Sequence, residues 1–475
     1  MTESGKPREE CGVFGIYAPG EDVAKLTFFG LFTLQHRGQE SAGIGVLDGK
    51  KYSLYKKMGL VNQIFDEEKI SKLKGHIAVG HNRYSTTGTS NIKNAGPFVS
   101  RRKMETFIVA HNGNIVNAAR LKKVLERKGN KFKSTCDTEV VAQIIADSKH
   151  KDPAKKIFST MYKIDGAYSL IIGTKNELIG VRDPLGFRPL VLGRLNGHYV
   201  LASESCAFPE IGAKLIRDIK PGEVVVINEK GIKSYQFSHK KRASFCIFEY
   251  VYLARPDSIM NTKSVYLTRE KLGKLLAKEH PAKADIVIPV PDSSVPGAIG
   301  FSQQSGIEYR EGLIKNRYIA RTFIFPDQRM RELGVKMKLS PLREVVAGKN
   351  IVLVDDSIVR GTTVLKIVRL LKEAGVKKIH VRITAPPIKN PCFYGVDMPR
   401  KEDFIANNKD VEEIRSQIEA DSLGYLSVEK MIEATGLSEN ALCTACFTGN
   451  YPLKGEFLKV LTKDALEKKG LSLPS

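Results

Sequence analysis

The 475-residue chain predicts two unlike halves, an α+β half on antiparallel sheets followed by an α/β half on a parallel sheet. Three observations predict this. Short apolar runs broken by turn residues fill positions 11–235. Buried apolar runs alternate with helical periodicity from about position 286. Between them, residues 237–242 are rich in basic side chains and read as a linker.

In the first half, residues 13–17, 44–47, 77–80 and 107–110 are short strands. Residues 170–172 and 178–181 are another pair. Asn196-Gly197 lies between the apolar runs 190–192 and 199–201, a hairpin signal. Residues 224–227 and 232–235 flank a further turn at Gly231, and residues 137–147 have helical spacing. In the second half, 286–290, 351–354 and 379–384 are strands, with a helix over 363–374. In such a βαβ unit ligands sit beyond the carboxyl ends of the strands. The tail, 410–475, reads as mixed helix and loop.

Composition narrows the function classes. Hydrophobic residues are 42% and charged residues 27%, which excludes wholesale disorder. No run of 18 apolar residues exists, so no membrane span is expected. Residues 1–10 are polar without an apolar stretch, unlike a secretory signal, so a cytoplasmic location is expected. The 75 basic against 52 acidic residues give +23. They are spread along the chain, as a solvated surface or a field steering a small polyanion requires. No zinc-finger, homeodomain or RNP pattern points to nucleic acid.

Cys11 begins the first strand after a polar decapeptide. Cleavage between Glu10 and Cys11 would place an α-amine of pKa about 7.7–8.0 beside the thiol, a suitable base near neutrality. Polar clusters end the strands nearby, at 35–43, 81–88, 110–114 and 137–139. Asn112 and Gly113 could offer an amide and a backbone N–H to an oxyanion. Arg83 could clamp a carboxylate and Asp137 an α-ammonium. Alone, Arg83 or Asp137 reads as a surface ion-pair residue; together they fit an amino acid with a side-chain amide.

Cys11-Gly12-Val13-Phe14-Gly15-Ile16, Leu34-Gln35-His36-Arg37-Gly38-Gln39-Glu40, Arg83-Tyr84-Ser85-Thr86 and His111-Asn112-Gly113-Asn114 resemble the N-terminal-nucleophile glutamine amidotransferases. The resemblance implies an αββα sandwich, Cys11 as nucleophile, Asn112 and Gly113 as oxyanion hole, and Arg83 and Asp137 as holders of glutamine.

Asp355-Asp356-Ser357-Ile358-Val359-Arg360-Gly361-Thr362-Thr363 follows a buried strand and opens a helix. Small hydroxyl residues and Gly361 at a helix start make a phosphate cradle. Adjacent carboxylates can hold ribose hydroxyls or Mg²⁺. The stretch resembles the 5-phosphoribosyl-1-pyrophosphate (PRPP) loop of type I phosphoribosyltransferases. On that resemblance 289–294 is a pyrophosphate loop with Ser293 as a metal or pyrophosphate contact, and the basic stretch 315–349 is a closing flap.

Cys246, Cys392 and the pair Cys443-Thr444-Ala445-Cys446 could form a four-thiolate site for zinc or an Fe–S cluster. Cys136 and Cys206 are left as buried thiols.

The order of motifs, with 248–258 and 315–318, resembles the glutamine PRPP amidotransferase family over nearly the whole chain. That resemblance implies amination of PRPP to phosphoribosylamine, opening purine synthesis, with ammonia passed internally. It implies Mg²⁺, a [4Fe–4S] cluster on the four cysteines, and residues 1–10 as a propeptide. It divides the chain into a glutaminase domain, 11–240, and a synthase domain with tail, 241–475. It also implies a homotetramer inhibited by purine nucleotides. Two other readings are a glutamine-dependent enzyme with another acceptor and a non-catalytic PRPP sensor binding nucleic acid. The acidic-pair loop opposes the first, and the set Cys11, Arg83, Asn112 and Asp137 the second.

Overall fold

A computed structural model describes residues 11–49, 51–84, 89–102, 105–238, 242–316, 339–398 and 400–453. The proposed propeptide, most of the proposed flap and residues 239–241 of the expected linker lie outside them.

The first half is a four-layer αββα sandwich. A seven-stranded sheet has Gly12–Tyr17 near its centre, between His198–Ala202 and Ile77–Arg83. A six-stranded sheet carries Glu105–Ile115 beside Gly166–Gly173. Side chains alternate across each strand. From the first strand, Val13 and Tyr17 join Ile108, Ala110 and Ile171 in the core between the sheets. Phe14 and Ile16 face the opposite way and pack with Val23, Ala24 and Leu31 of the helix Val23–Thr33. The outer face of the second sheet is covered by Ala118–Arg127, Asp137–Asp147 and Pro153–Met161.

The Asn196-Gly197 hairpin forms as its sequence predicts. Leu195 pairs with His198, and the two turn residues have φ of 47° and 87°. Both positive values suit an Asn-Gly turn.

The second half holds a five-stranded parallel sheet in the order Glu308–Tyr309, Ile286–Pro289, Asn350–Asp355, Lys378–Ile383, Ser422–Tyr425. The helix Thr362–Glu373 starts one residue earlier than its periodicity predicts. Its buried residues Val364, Ile367, Val368 and Leu371 follow the 3-4 spacing of one face. The tail differs from the expected mixture of helix and loop, because Ser422–Tyr425 supplies the last strand of the sheet. Four residues beside an acidic turn give too little period-2 pattern to be recognised. No described helix is long and apolar enough to cross a membrane.

Candidate active site and thiol cavity

Cys11 stands at the start of the central strand and is buried. Its Sγ donates to the Tyr84 carbonyl at 3.4 Å, and its own carbonyl accepts from Arg37 Nε at 3.2 Å. Burial pushes the thiol up to about 12, against a smaller opposing pull from the Tyr84 hydrogen bond and the Arg83 charge. A thiol held neutral in this way needs a base at hand to act as a nucleophile.

Strand pairing builds the surrounding pocket. Gly12 lies opposite Asn82, and Ser41 opposite Arg83. Arg83 and Asp137 are only 2% and 3% exposed, so neither is the surface ion-pair residue that its type alone allows. Arg83 Nη1 lies 3.5 Å from Glu40 Oε2. Asp137 opens its helix and accepts from the Ile115 N–H at 3.0 Å, with His111 Nδ1 at 3.6 Å. Burial alone would raise the Asp137 carboxyl, but His111 and the Ile115 N–H hold it below its ordinary value.

Asn112 is fully buried, and neither atom of its amide has a hydrogen-bond partner. A buried amide so left costs about 1–3 kcal/mol. It follows His111 on the strand beside Gly113, whose φ is +141°. The Arg83 and Asp137 charges both act on the Cys11 thiol, and a guanidinium, a carboxylate and an amide donor are the groups that could receive an α-amino acid with a terminal carboxamide.

The second site lies at the carboxyl ends of the parallel strands. Asp355 and Asp356 are both buried where Asn350–Asp355 ends. Ser293 Oγ donates to Asp356 Oδ2 at 2.5 Å, and Ser294 Oγ to Asp355 Oδ1 at 3.0 Å. The two loops predicted to flank PRPP are therefore joined. Ser357 Oγ donates to Asp356 Oδ1 at 2.7 Å. Arg360 pairs with Asp403 at 2.8 Å. Gly361, at φ +76°, caps the helix in the left-handed conformation that glycine adopts without strain, and a Cβ there would push the tip of the Ile405 side chain aside. Thr362 and Thr363 form the first helical residues, with Thr362 exposed at the helix start. Two hard carboxylates and a hydroxyl could take a divalent cation. Lys315 reaches Asp292 at 2.6 Å, and its strand Leu313–Lys315 pairs with Leu339–Pro341, the two described ends of the expected flap.

The four expected cysteines come together. Cys246 pairs with Cys443 in a short parallel ladder. Cys246, Cys392, Cys443 and Cys446 line one cavity with Phe248, Met398 and Tyr394. Among the described residues no group of three or more His, Cys, Asp or Glu is arranged to hold a metal ion. Four soft donors in an apolar wall suit an Fe–S cluster, and the Tyr394 N–H, 3.4 Å from Cys392 Sγ, is the kind of donor that stabilises a cluster thiolate. Burial pushes the Cys443 thiol up to about 12. Burial and the other three cysteines raise Cys446 too. Cys136 and Cys206 are buried and lie outside this cavity.

A charged network that no sequence motif points to joins the halves. Arg37, from the cluster beside the nucleophile, binds Glu204 and also Glu249, at 2.9 and 3.1 Å, across the expected domain boundary. Glu204 further accepts from Ser258 Oγ at 2.6 Å and the Arg255 N–H at 2.9 Å. Arg37, Glu204 and Glu249 are essentially unexposed. Partners 167 and 212 residues away leave no local pattern around Arg37 that sequence reasoning could find.

The two halves match known protein families. A glutamine amidotransferase domain model matches residues 81–210, and a phosphoribosyl transferase domain model matches 261–399. An amidophosphoribosyltransferase of Synechocystis sp. is 52% identical over 454 residues, covering 94% of this chain and 92% of that protein. That of Methanocaldococcus jannaschii is 47% identical, covering 96% and 100%. The solved Bacillus subtilis glutamine PRPP amidotransferase, complexed with ADP and GMP, superposes with a TM-score of 0.88 at 47% identity, covering 93% and 97%. Identity at this level over nearly the full length of both chains leaves one conclusion: the chain belongs to the amidophosphoribosyltransferase family, a glutamine amidotransferase fold followed by a phosphoribosyltransferase fold.

Proposed function

We propose that the protein converts glutamine, PRPP and water to phosphoribosylamine, glutamate and pyrophosphate, opening purine synthesis. The observation that carries this reading is the presence, on one chain, of a buried thiol within electrostatic reach of buried Arg83 and Asp137 and of an acidic pair bonded to the Ser293 loop.

In this reading residues 1–10 are a propeptide, 11–240 the glutaminase domain and 241–475 the synthase domain with its tail. Removal of the propeptide frees the Cys11 α-amine, which takes the thiol proton as Sγ attacks the carboxamide carbon. The Asn112 amide and Gly113 N–H donate to the oxyanion. The proton passes to the leaving nitrogen, ammonia departs, and water hydrolyses the glutamyl thioester. Arg83 holds the glutamine carboxylate and Asp137 its ammonium.

Asp355 and Asp356 bind the ribose hydroxyls, and Ser357, Arg360, Gly361, Thr362 and Thr363 bind phosphate. Ser293 with the two aspartates would hold Mg²⁺, whose charge would stabilise the departing pyrophosphate. Ammonia then bonds to ribose C1 as the C1–O bond to pyrophosphate breaks. The four cysteines would hold a [4Fe–4S] cluster, a crosslink between the start, middle and end of the synthase half. A homotetramer, purine nucleotide inhibitors and a cytoplasmic location complete the reading; the nucleotides borne by the Bacillus subtilis relative support the second.

Measuring glutamate release with and without PRPP tests the function. Glutamate and pyrophosphate should appear in equal amounts when both substrates are present. Glutamate release with no pyrophosphate under any condition would overturn the acceptor assignment.

A further inference from the structure

The loop that carries Cys392 is seated on the strand that carries Gly113. Three consecutive residues of this loop are each held by the glutaminase half. The Phe393 carbonyl accepts from Asn114 Nδ2 at 2.9 Å. The Tyr394 carbonyl accepts from Arg188 Nε and Nη2 at 2.8 and 2.6 Å, and the Tyr394 ring stacks on Phe187 at 4.2 Å. Gly395 follows with φ +111°, and a Cβ on it would lie 3.1 Å from both the Cα and the carbonyl carbon of Gly113. A methyl group there would push the Gly113 backbone aside by a few tenths of an ångström and would strain the positive φ. Cys392 begins the run, and its N–H donates to the Met398 carbonyl at 3.0 Å, closing the loop on itself. Arg188 and Phe187 line both this contact and the thiol cavity.

We propose that Gly395 is a positioning residue for glutamine cleavage: the thiol-site loop backs the Cα and carbonyl carbon of Gly113 and so sets where its N–H points. This rests on the reading of Asn112 and Gly113 as the oxyanion hole. An oxyanion donor must be fixed before charge develops, so its placement affects the transition state more than glutamine binding. Displacements near 1 Å can cost about a hundredfold. Arg83 and Asp137, which would hold the amino-acid end of glutamine, make none of these contacts with the loop.

The test is Gly395→Ala and, separately, Asn114→Ala, in the full processed enzyme. Four quantities are read: kcat and KM for glutamine hydrolysis, the rate of phosphoribosylamine formation from added ammonia, and metal content per chain. The expected result for each is a kcat lowered roughly 10- to 100-fold. KM for glutamine, the ammonia-dependent rate and metal content should stay within about twofold. Should Gly395→Ala not fold, Asn114→Ala alone decides. Unchanged kcat in the folded variants, or equal losses in the glutamine and ammonia reactions, would overturn the proposal. Failure of the underlying reading looks different: Asn112→Ala would then leave glutamine hydrolysis intact.

Discussion

Ser293 donates a 2.5 Å hydrogen bond to Asp356, joining the loop after Ile286–Pro289 to the loop after Asn350–Asp355 across 63 residues of sequence. The two strands are parallel neighbours, Pro289 beside Val354, so their carboxyl ends open on the same edge. The bond fixes one oxygen of the carboxylate and leaves the loop pair preset for a ligand carrying hydroxyls and phosphates.

That arrangement predicts a graded response. Asp355→Asn with Asp356→Asn should abolish synthesis from both glutamine and ammonia, since both need bound PRPP. Ser293→Ala should leave the acids in place and raise KM for PRPP by about tenfold, the loss of one charge-assisted hydrogen bond of about 1.5 kcal/mol. Steady-state kinetics with ammonia as nitrogen donor separate the two. Full ammonia-dependent activity in the double variant would show that the acids do not hold PRPP.

Cys11 gives a second, separable prediction. Cys11→Ala should remove glutamine-dependent synthesis and spare synthesis from added ammonia. Its burial has a further consequence. A thiol pushed from 9 to about 12 carries roughly a thousandfold less thiolate than an ordinary cysteine near pH 8. Protein retaining the Glu10–Cys11 bond should therefore resist iodoacetamide at Cys11, whereas processed protein should be alkylated and lose glutamine use. Mass spectrometry of alkylated peptides reads both states. Full glutamine turnover with Glu10–Cys11 intact would sink the α-amine mechanism.

Much of this site was legible because its chemistry sits where local patterns end. Cys11, Arg83, Asn112 and Asp137 occur at or near strand or helix termini, and Asp355-Asp356 closes an apolar strand; each boundary leaves a turn signal beside a polar cluster. The four cysteines were legible by residue type. The strand Ser422–Tyr425 was not, because it is short and takes its identity from its neighbour Lys378–Ile383. Arg37, Glu204 and Glu249 were not either. Nothing in one segment of charged residues says that its counter-ions lie in the other half of the fold. The Gly395–Gly113 contact is of the same kind: two glycines whose meaning appears only when both are in place.

The Glu204 network predicts a pH-dependent stability. Burial alone would raise this carboxyl, but His36, Arg37 and Ser258 hold it well below 4.5. A carboxyl whose folded value is depressed contributes stability fully above its unfolded value, and loses it as pH falls through the folded one. Glu204→Gln should cost about 3–5 kcal/mol at pH 7, since Arg37 loses a buried partner. The difference from the parent protein should be flat down to about pH 4.5 and shrink below it. Urea unfolding at a series of pH values measures this; a difference that grows on acidification would contradict the assigned ionisation.

The last prediction concerns the four cysteines. They come from the start, middle and end of the second half, and Cys246 and Cys443 already pair through their backbones. A metal group on them would close loops of about 150 and 50 residues, counted from Cys246 to Cys392 to Cys443, and so penalise the unfolded chain. Binding energy would add to folding energy. Removing any one thiol should then give protein that unfolds more readily, and the cost should appear even under conditions where glutamine hydrolysis is not assayed. Cys136→Ser and Cys206→Ser, whose sulfurs lie outside the cavity, should keep the parent metal content. Protein purified without air should contain about four iron atoms and four acid-labile sulfides per chain and absorb in the visible. One zinc atom and no sulfide would identify a tetrahedral zinc brace instead.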